Sequence, residues 1–285
     1  MTERAPASPL DRRPKTEAEL RDHIAACPVS GNPQQMRHAF ATLAGPQPRL
    51  SEITRGGRRC LVVGEGPELV WFHGGGYVFG APETHATLAT ALAAHGLRVV
   101  LPEYRLSPED PWPAMLEDAH AVLSDSGPVI AGGDSAGGHL ALVAAQTGAD
   151  LRGLALVSPN TDRSGASQTR GRDGDAMNDD ASDAALARQA MPDRSGKDPA
   201  ASPLLGELAG LPPVHLEAVG AEILLDDSLL LARAMALADC EVSLHVTPGL
   251  MHMHTLWPDC LPEGAASLAR IAAFARRQSG AAQAG

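Results

Sequence analysis

A mainly parallel β-sheet covered by helices on both faces is the α/β fold class this sequence predicts, and three observations predict it. β-rich runs of strand length recur at 68–73, 98–104, 129–132, 151–158, 214–219 and 241–246. Segments of helical length, rich in Ala and Leu, separate them. The crossovers, about 10 to 20 residues each, are long enough to carry a helix and return the chain parallel to itself. With 285 residues, one large domain or two small ones can form, and roughly three quarters of the unfolded surface can be buried.

In chain order, the first 15 or so residues are polar and Pro-rich and are expected to be poorly ordered. Segments 16–26 and 33–43 read as short amphipathic helices. From Leu50 the strand rhythm begins. The strand Glu-Leu-Val-Trp-Phe runs into His73-Gly74-Gly75-Gly76, and the strand ending Gly-Pro-Val-Ile-Ala-Gly runs into Gly133-Asp134-Ser135-Ala136-Gly137, followed by a helix. Segment 160–203 breaks the rhythm: it is rich in Asp, Gly, Ser and Arg, with a predicted helix at 184–191. An excursion of this length inside an α/β domain reads as a functional lid or binding insertion. Its acidic residues Asp173, Asp175, Asp179, Asp180 and Asp183 do not follow the alternating calcium-loop pattern. They read as a solvated loop with a helix N-cap at Ser182 or Asp183.

Composition excludes several classes of function. There are 23 Lys and Arg against 34 Asp and Glu, a formal charge of −11, so nucleic acid or an anionic membrane surface would be repelled. Nowhere do about 18 consecutive apolar residues occur, which speaks against a membrane span. The N-terminus lacks the apolar core of a secretory signal. The four cysteines, Cys27, Cys60, Cys240 and Cys260, form no disulfide framework or Cys-x-x-Cys pair. These features together predict a cytoplasmic protein.

The chemistry is concentrated in two motifs. Gly133 to Gly137 fits the G-x-S-x-G nucleophile elbow, between a strand and a helix as the elbow requires. Alone the pattern arises by chance in about one such chain in six, whereas His followed by three Gly arises in about one in a hundred. Glycines after a strand leave backbone N–H groups bare, able to approach a substrate oxygen. A serine hydroxyl needs a base, and the base needs an orienting carboxylate, in the order Ser, acid, His for this sheet. His252, in Pro248-Gly249-Leu250-Met251-His252, lies beyond the last predicted strand, with His254 its rival. For the acid, Glu222 stands nearest the end of the strand Val-His-Leu-Glu-Ala-Val, ahead of Asp226. Asp226 and Asp227 fall near a helix start, where carboxylates complement the helix dipole. Asp134 and His139 read as local hydrogen-bonding residues. The Met251-His252-Met253-His254 run lacks the further partners a soft metal would need, so no metal is expected.

These residues resemble the hormone-sensitive lipase-like branch of the α/β-hydrolase fold, bacterial esterases marked by HGGG and GDSAGG. The resemblance runs from about Leu50 to Phe274. It includes Pro102-Glu103-Tyr104-Arg105-Leu106-Ser107-Pro108-Glu109, Trp112-Pro113-Ala114, and Asp198-Pro199 through Ser202-Pro203. It implies an α/β-hydrolase fold with a small helical cap. Residues 1–48 would supply the N-terminal segment and cap helices, and 49–285 the catalytic domain with a cap insertion at about 160–203. It implies Ser135, Glu222 and His252 as catalytic residues, and the N–H groups of Gly75, Gly76 and Ala136 as the oxyanion hole. The acid is Glu where Asp is commoner in the family. Glu103 stands where the family has Asp, at a position resembling a structural ion-pair site.

The implied activity is that of a serine carboxylesterase acting on small-molecule esters of short or medium acyl chains, lactones or acetylated compounds included, without metal or organic cofactor. No nucleic-acid or membrane partner is implied. Related enzymes often pair through the edge of the last strand, which leaves a homodimer open. Acyl transfer is the variant of the same chemistry in which the cap keeps water out. The rival from another class is a small-molecule receptor: some plant hormone receptors resemble the family, keep HGGG and the elbow, and lose the histidine. This chain keeps His252.

Overall fold

The computed structural model describes residues 12–281. Eight strands form one sheet in the order β1-β2-β4-β3-β5-β6-β7-β8. The strands are β1 (Ser51–Arg55), β2 (Arg58–Val63), β3 (Glu68–Phe72), β4 (Arg98–Pro102), β5 (Val129–Asp134), β6 (Leu151–Val157), β7 (Val214–Val219) and β8 (Val242–Thr247). From β4 through β8 all pairings are parallel, while β1 with β2 and β2 with β4 are antiparallel. The six strands expected from the apolar runs form within one or two residues of their predicted bounds. The antiparallel pair was not predicted. The edge strand β1, Ser-Glu-Ile-Thr-Arg, has no apolar run to mark it, and β2 opens on two arginines before its short buried run Cys60-Leu61-Val62.

The helices are α1 (Glu17–Ala26), α2 (Pro33–Ala44), α3 (Ala86–Ala94), α4 (Ala114–Ser124), α5 (Ala136–Gln146), α6 (Asp180–Ala190), α7 (Leu225–Leu237) and α8 (Pro262–Ala281). Successive residues of a strand point to opposite faces, and the core divides accordingly. Leu69, Trp71, Val99, Leu101, Ile130, Ala155 and Val157 pack with α3 and α8. Val70, Phe72, Val100, Ala131, Leu154 and Leu156 pack with α4, α5 and α7. Crossovers α3 and α4 leave to opposite faces on either side of β3, so the strand order reverses between β3 and β5. A crevice opens outside the carboxyl ends of strands at such a reversal, and both glycine motifs lie there.

Local chemistry sets the helix starts. Thr16 caps α1 by accepting from the Glu19 N–H, and Asn32 with Gln35 forms a capping box on α2. α6 begins four residues before its predicted start, because the N-cap is Asp179, whose carboxylate accepts from the Ser182 N–H at 2.8 Å. Residues 1–11, most of the segment expected to be poorly ordered, lie outside the described residues. At residue 13 that expectation fails: Arg13 forms a two-pronged pair with Asp259 and donates to the carbonyls of Ala44 and Leu256.

The excursion between β6 and β7 is not a solvated loop throughout. Arg170 is held by Asp183 and Asp227, the latter at 2.6 Å, and also donates to Asn160 Oδ1 and the Asp162 carbonyl. Asp227 in turn accepts from the N–H groups of Thr161 and Asp162, both at 2.8 Å. This buried network fastens the excursion to the start of α7. Asp183 is 4% exposed; burial pushes its carboxyl up, but Arg163 and Arg170 outweigh burial and hold it below the ordinary range. Among the described residues no helix is long and apolar enough to cross a membrane.

Candidate active site

The elbow puts Ser135 at the C-terminal end of β5, with φ 53° and ψ −119°, left-handed backbone that a non-glycine residue holds only when its surroundings enforce it. The enforcement is visible. The Ser135 N–H donates to the Val157 carbonyl at 2.9 Å, and its carbonyl accepts from the His139 N–H at 3.0 Å. The turn presses so closely on β3 that a Cβ at Gly137 would overlap the carbonyl oxygen of Phe72. Asp134 pins the turn from below: its buried carboxylate accepts from Trp71 Nε1 at 2.9 Å and pairs with His85 Nε2 at 3.0 Å. Burial raises this carboxyl's pKa, but the charge and hydrogen bonds of His85 and Trp71 prevail and keep it low.

The HGGG loop leaves β3 beside the elbow. Gly75 and Gly76 take φ of 121° and 57°, the region where glycine is favoured. Neither of their N–H groups, nor that of Ala136, has an acceptor among the described residues. Ala136 is the first residue of α5, where the helix dipole adds to the attraction for a negative oxygen. Tyr104 braces the loop by stacking on His73 at 4.2 Å and donating to the His73 carbonyl at 2.6 Å. Burial, with His85 alongside, lowers the His73 pKa to about 3 and keeps the ring neutral. Glu103 lies outside the site, paired with Arg59 at 2.9 Å on the surface, and His139 bonds the Tyr77 hydroxyl at 2.6 Å.

Between the two histidines the structure makes a geometric choice. His252 Nδ1 lies 2.8 Å from Glu222 Oε2. Its Nε2 is buried and has no hydrogen-bond partner, and His252 lines the same cavity as Ser135. His254 instead bonds Ser267 through Nε2 at 2.9 Å, and that serine donates to Glu217. Glu222 is fully buried, its Oε1 accepting from Ser158 Oγ and the Val219 N–H, both at 2.9 Å. Asp226 accepts from the Gln168 N–H and faces the excursion. Burial works against a proton on His252, but the Glu222 hydrogen bond and charge, with Asp175 and Asp134, outweigh it and raise the pKa above its ordinary value.

Ser135, His252, Gly75, Gly76 and Ala136 line one narrow cavity of about 40 Å³. Its roof comes from two distant stretches: Val29, between α1 and α2, and Met177, Asn178, Asp183 and Leu186 of the excursion. Past Val29, Phe79, Met177, Asn178 and Leu186 it leads into a groove of about 480 Å³ beside α1. The sequence reading missed Ser158 and Asp175 among the residues that bear on His252. Ser158 lies at a strand end with no motif, and Asp175 is hidden in the acidic run, which the fold splits apart. Among the described residues no three His, Cys, Asp or Glu side chains are grouped to hold a metal ion.

Comparison with known proteins agrees with this geometry. The family profile of the α/β hydrolase fold matches residues 69–256. An acetyl-hydrolase of Streptomyces hygroscopicus is 34% identical over 231 residues, 76% of this chain and 77% of that protein. Carboxylesterase NlhH of Mycobacterium tuberculosis (strain ATCC 25618 / H37Rv) is 30% identical over 234 residues, 74% of this chain and 73% of that protein. An esterase from the bacterial hormone-sensitive lipase family superposes with a TM-score of 0.84 at 26% identity, covering 96% of this chain and 99% of that one. The chain therefore belongs to the α/β-hydrolase family, in its bacterial hormone-sensitive lipase-like branch.

Proposed function

We propose that this protein is a serine carboxylesterase cleaving small esters of short acyl chains. The observation that carries the reading is the convergence on one cavity of Ser135, a histidine already bonded to a buried carboxylate, and three backbone N–H groups without acceptors. In this reading Ser135 Oγ attacks the ester carbonyl while His252 Nε2 takes its proton. Glu222 holds the imidazole in the tautomer with a free Nε2 lone pair and stabilises the imidazolium. The carbonyl oxygen, now an anion, accepts from Gly75, Gly76 and Ala136. His252 returns the proton to the leaving alkoxide, and the alcohol departs, leaving acyl-Ser135. Water, activated by His252, then releases the acid and restores the serine.

Val29 and the 160–203 excursion act as two pieces of a cap over the nucleophile. The narrowness of the cavity beside Ser135 supports short acyl groups, and the names of the acetyl-hydrolase and carboxylesterase relatives support the same chemistry. The test is hydrolysis of p-nitrophenyl esters from acetate to decanoate by wild type and Ser135→Ala, with fluorophosphonate labelling of both. Turnover highest at short chains, lost together with labelling in the variant, is expected. A wild type that neither turns over nor labels would overturn the reading and favour a binding protein.

A further inference from the structure

The loop that carries His252 has little regular structure to hold it. On its two sides Leu250 and Met253 both sit at φ 60°, left-handed backbone that side-chain-bearing residues keep only under external constraint. Glu222 fixes the imidazole ring, yet a bond to the ring does not locate the backbone beneath it. That backbone is held from the opposite side. The His252 N–H donates to Asp175 Oδ1 at 3.1 Å, and the same oxygen accepts from the Met177 N–H at 3.0 Å. Asp175 belongs to the excursion, ahead of α6, and its other oxygen, Oδ2, is buried with no partner. The turn that places Met177 and Asn178 over Ser135 therefore also grips the histidine.

We propose that Asp175 is a positioning residue through which the roof of the site holds the base, fixing the His252 backbone by its Oδ1 and steadying the imidazolium by its charge. This rests on the reading of His252 as the base. The ionisable groups facing the imidazole are Glu222 after β7, Asp134 at the end of β5, Asp175 from the excursion, and His254 on its own loop. Asp175 thus supplies negative charge from the cap side; burial pushes its own carboxyl up, and His252 with the Met177 and His252 N–H groups pulls the other way. An unpartnered buried carboxylate oxygen is costly, and a proton passing to His252 in the reaction gives that charge an opposite one to face. One carboxylate thus ties the position of the roof to the position of the base.

The test compares Asp175→Ala and Asp175→Asn with wild type, by steady-state kinetics across pH and by thermal melting. Asp175→Ala loses the acceptor and is expected to lower kcat by about ten- to a hundredfold, the scale of a small misplacement of a catalytic group. Asp175→Asn keeps an oxygen for both N–H groups and should recover most of kcat near pH 8. Having lost a charge that favours protonated His252, its kcat/KM should begin to fall at a lower pH than wild type does. Asp175→Ala within twofold of wild type, or Asp175→Asn with an unshifted acid limb, would overturn the proposal. The second variant carries the test if the first does not fold. A wild type without Ser135-dependent activity would sink the base assignment itself, whereas an active wild type indifferent to Asp175 would sink only this inference.

Discussion

Glu222→Gln keeps the shape of the acid and removes its charge, and the surroundings dictate how the amide must turn. Oε1 of Glu222 accepts from two donors, the Ser158 hydroxyl and the Val219 N–H. The Val219 N–H can only donate, so a glutamine must set its carbonyl oxygen there; the reverse orientation would face donor to donor in a buried site. The amide NH₂ is then forced toward His252 Nδ1, 2.8 Å from the present Oε2. Nδ1 must become an acceptor, the ring proton moves to Nε2, and the nitrogen that should take the serine proton already carries one. A wrong tautomer of this kind costs roughly 10⁴-fold in kcat, about 5 kcal/mol of barrier. Glu222→Asp retains the charge and the tautomer but shortens the reach, for an expected loss of about 10²-fold. The assay is burst and steady-state release of p-nitrophenol from the acetate ester at pH 8, with melting temperatures to confirm that both variants fold. A Gln variant as active as the Asp variant, or less than tenfold impaired, would refute the tautomer argument.

Three further outcomes follow from the same structure. A histidine acting as base must be neutral, and with the His252 pKa raised above its ordinary 6.5 the proposed mechanism requires kcat/KM to rise with pH and reach half its plateau above pH 6.5; a midpoint below that contradicts the electrostatics given for the site. Gly137→Ala should abolish soluble expression or activity, since its Cβ would overlap the Phe72 carbonyl oxygen, and a variant with wild-type melting and turnover would show that the elbow does not need this close approach. Asp227→Ala strips a buried partner from Arg170 and acceptors from two N–H groups, which should destabilise by about 3–5 kcal/mol in denaturant unfolding; a change under 1 kcal/mol (about a fivefold change in the folded-to-unfolded ratio) would mean that the network adds little.

The sequence by itself determined the α/β class, the six parallel strands, the elbow at Ser135 and the HGGG loop. Each of these is enforced by local rules: β-rich apolar runs for strands buried on both faces, and glycines where backbone must approach backbone. The family resemblance, rather than a local rule, implied an ion-pair position at Glu103, which pairs with Arg59. The antiparallel β1 and β2 were not legible, because the exposed edge strand β1 has no apolar run and β2 offers only a short one behind two arginines, and the start of α6 was missed because a row of aspartates offers several caps of equal chemistry. Only the tertiary structure gave His252 and His254, two residues apart and identical as chemistry, their different partners. One was placed on Glu222 and the other on Ser267 by the path of a loop with two left-handed residues. It likewise set Glu222, and not Asp226, against His252, and it sorted the acidic run into an N-cap at Asp179, a buried ion pair at Asp183 and an acceptor for the His252 N–H at Asp175. Propensity and spacing act over a few residues, whereas these choices depend on partners far along the chain that folding alone brings within hydrogen-bond distance.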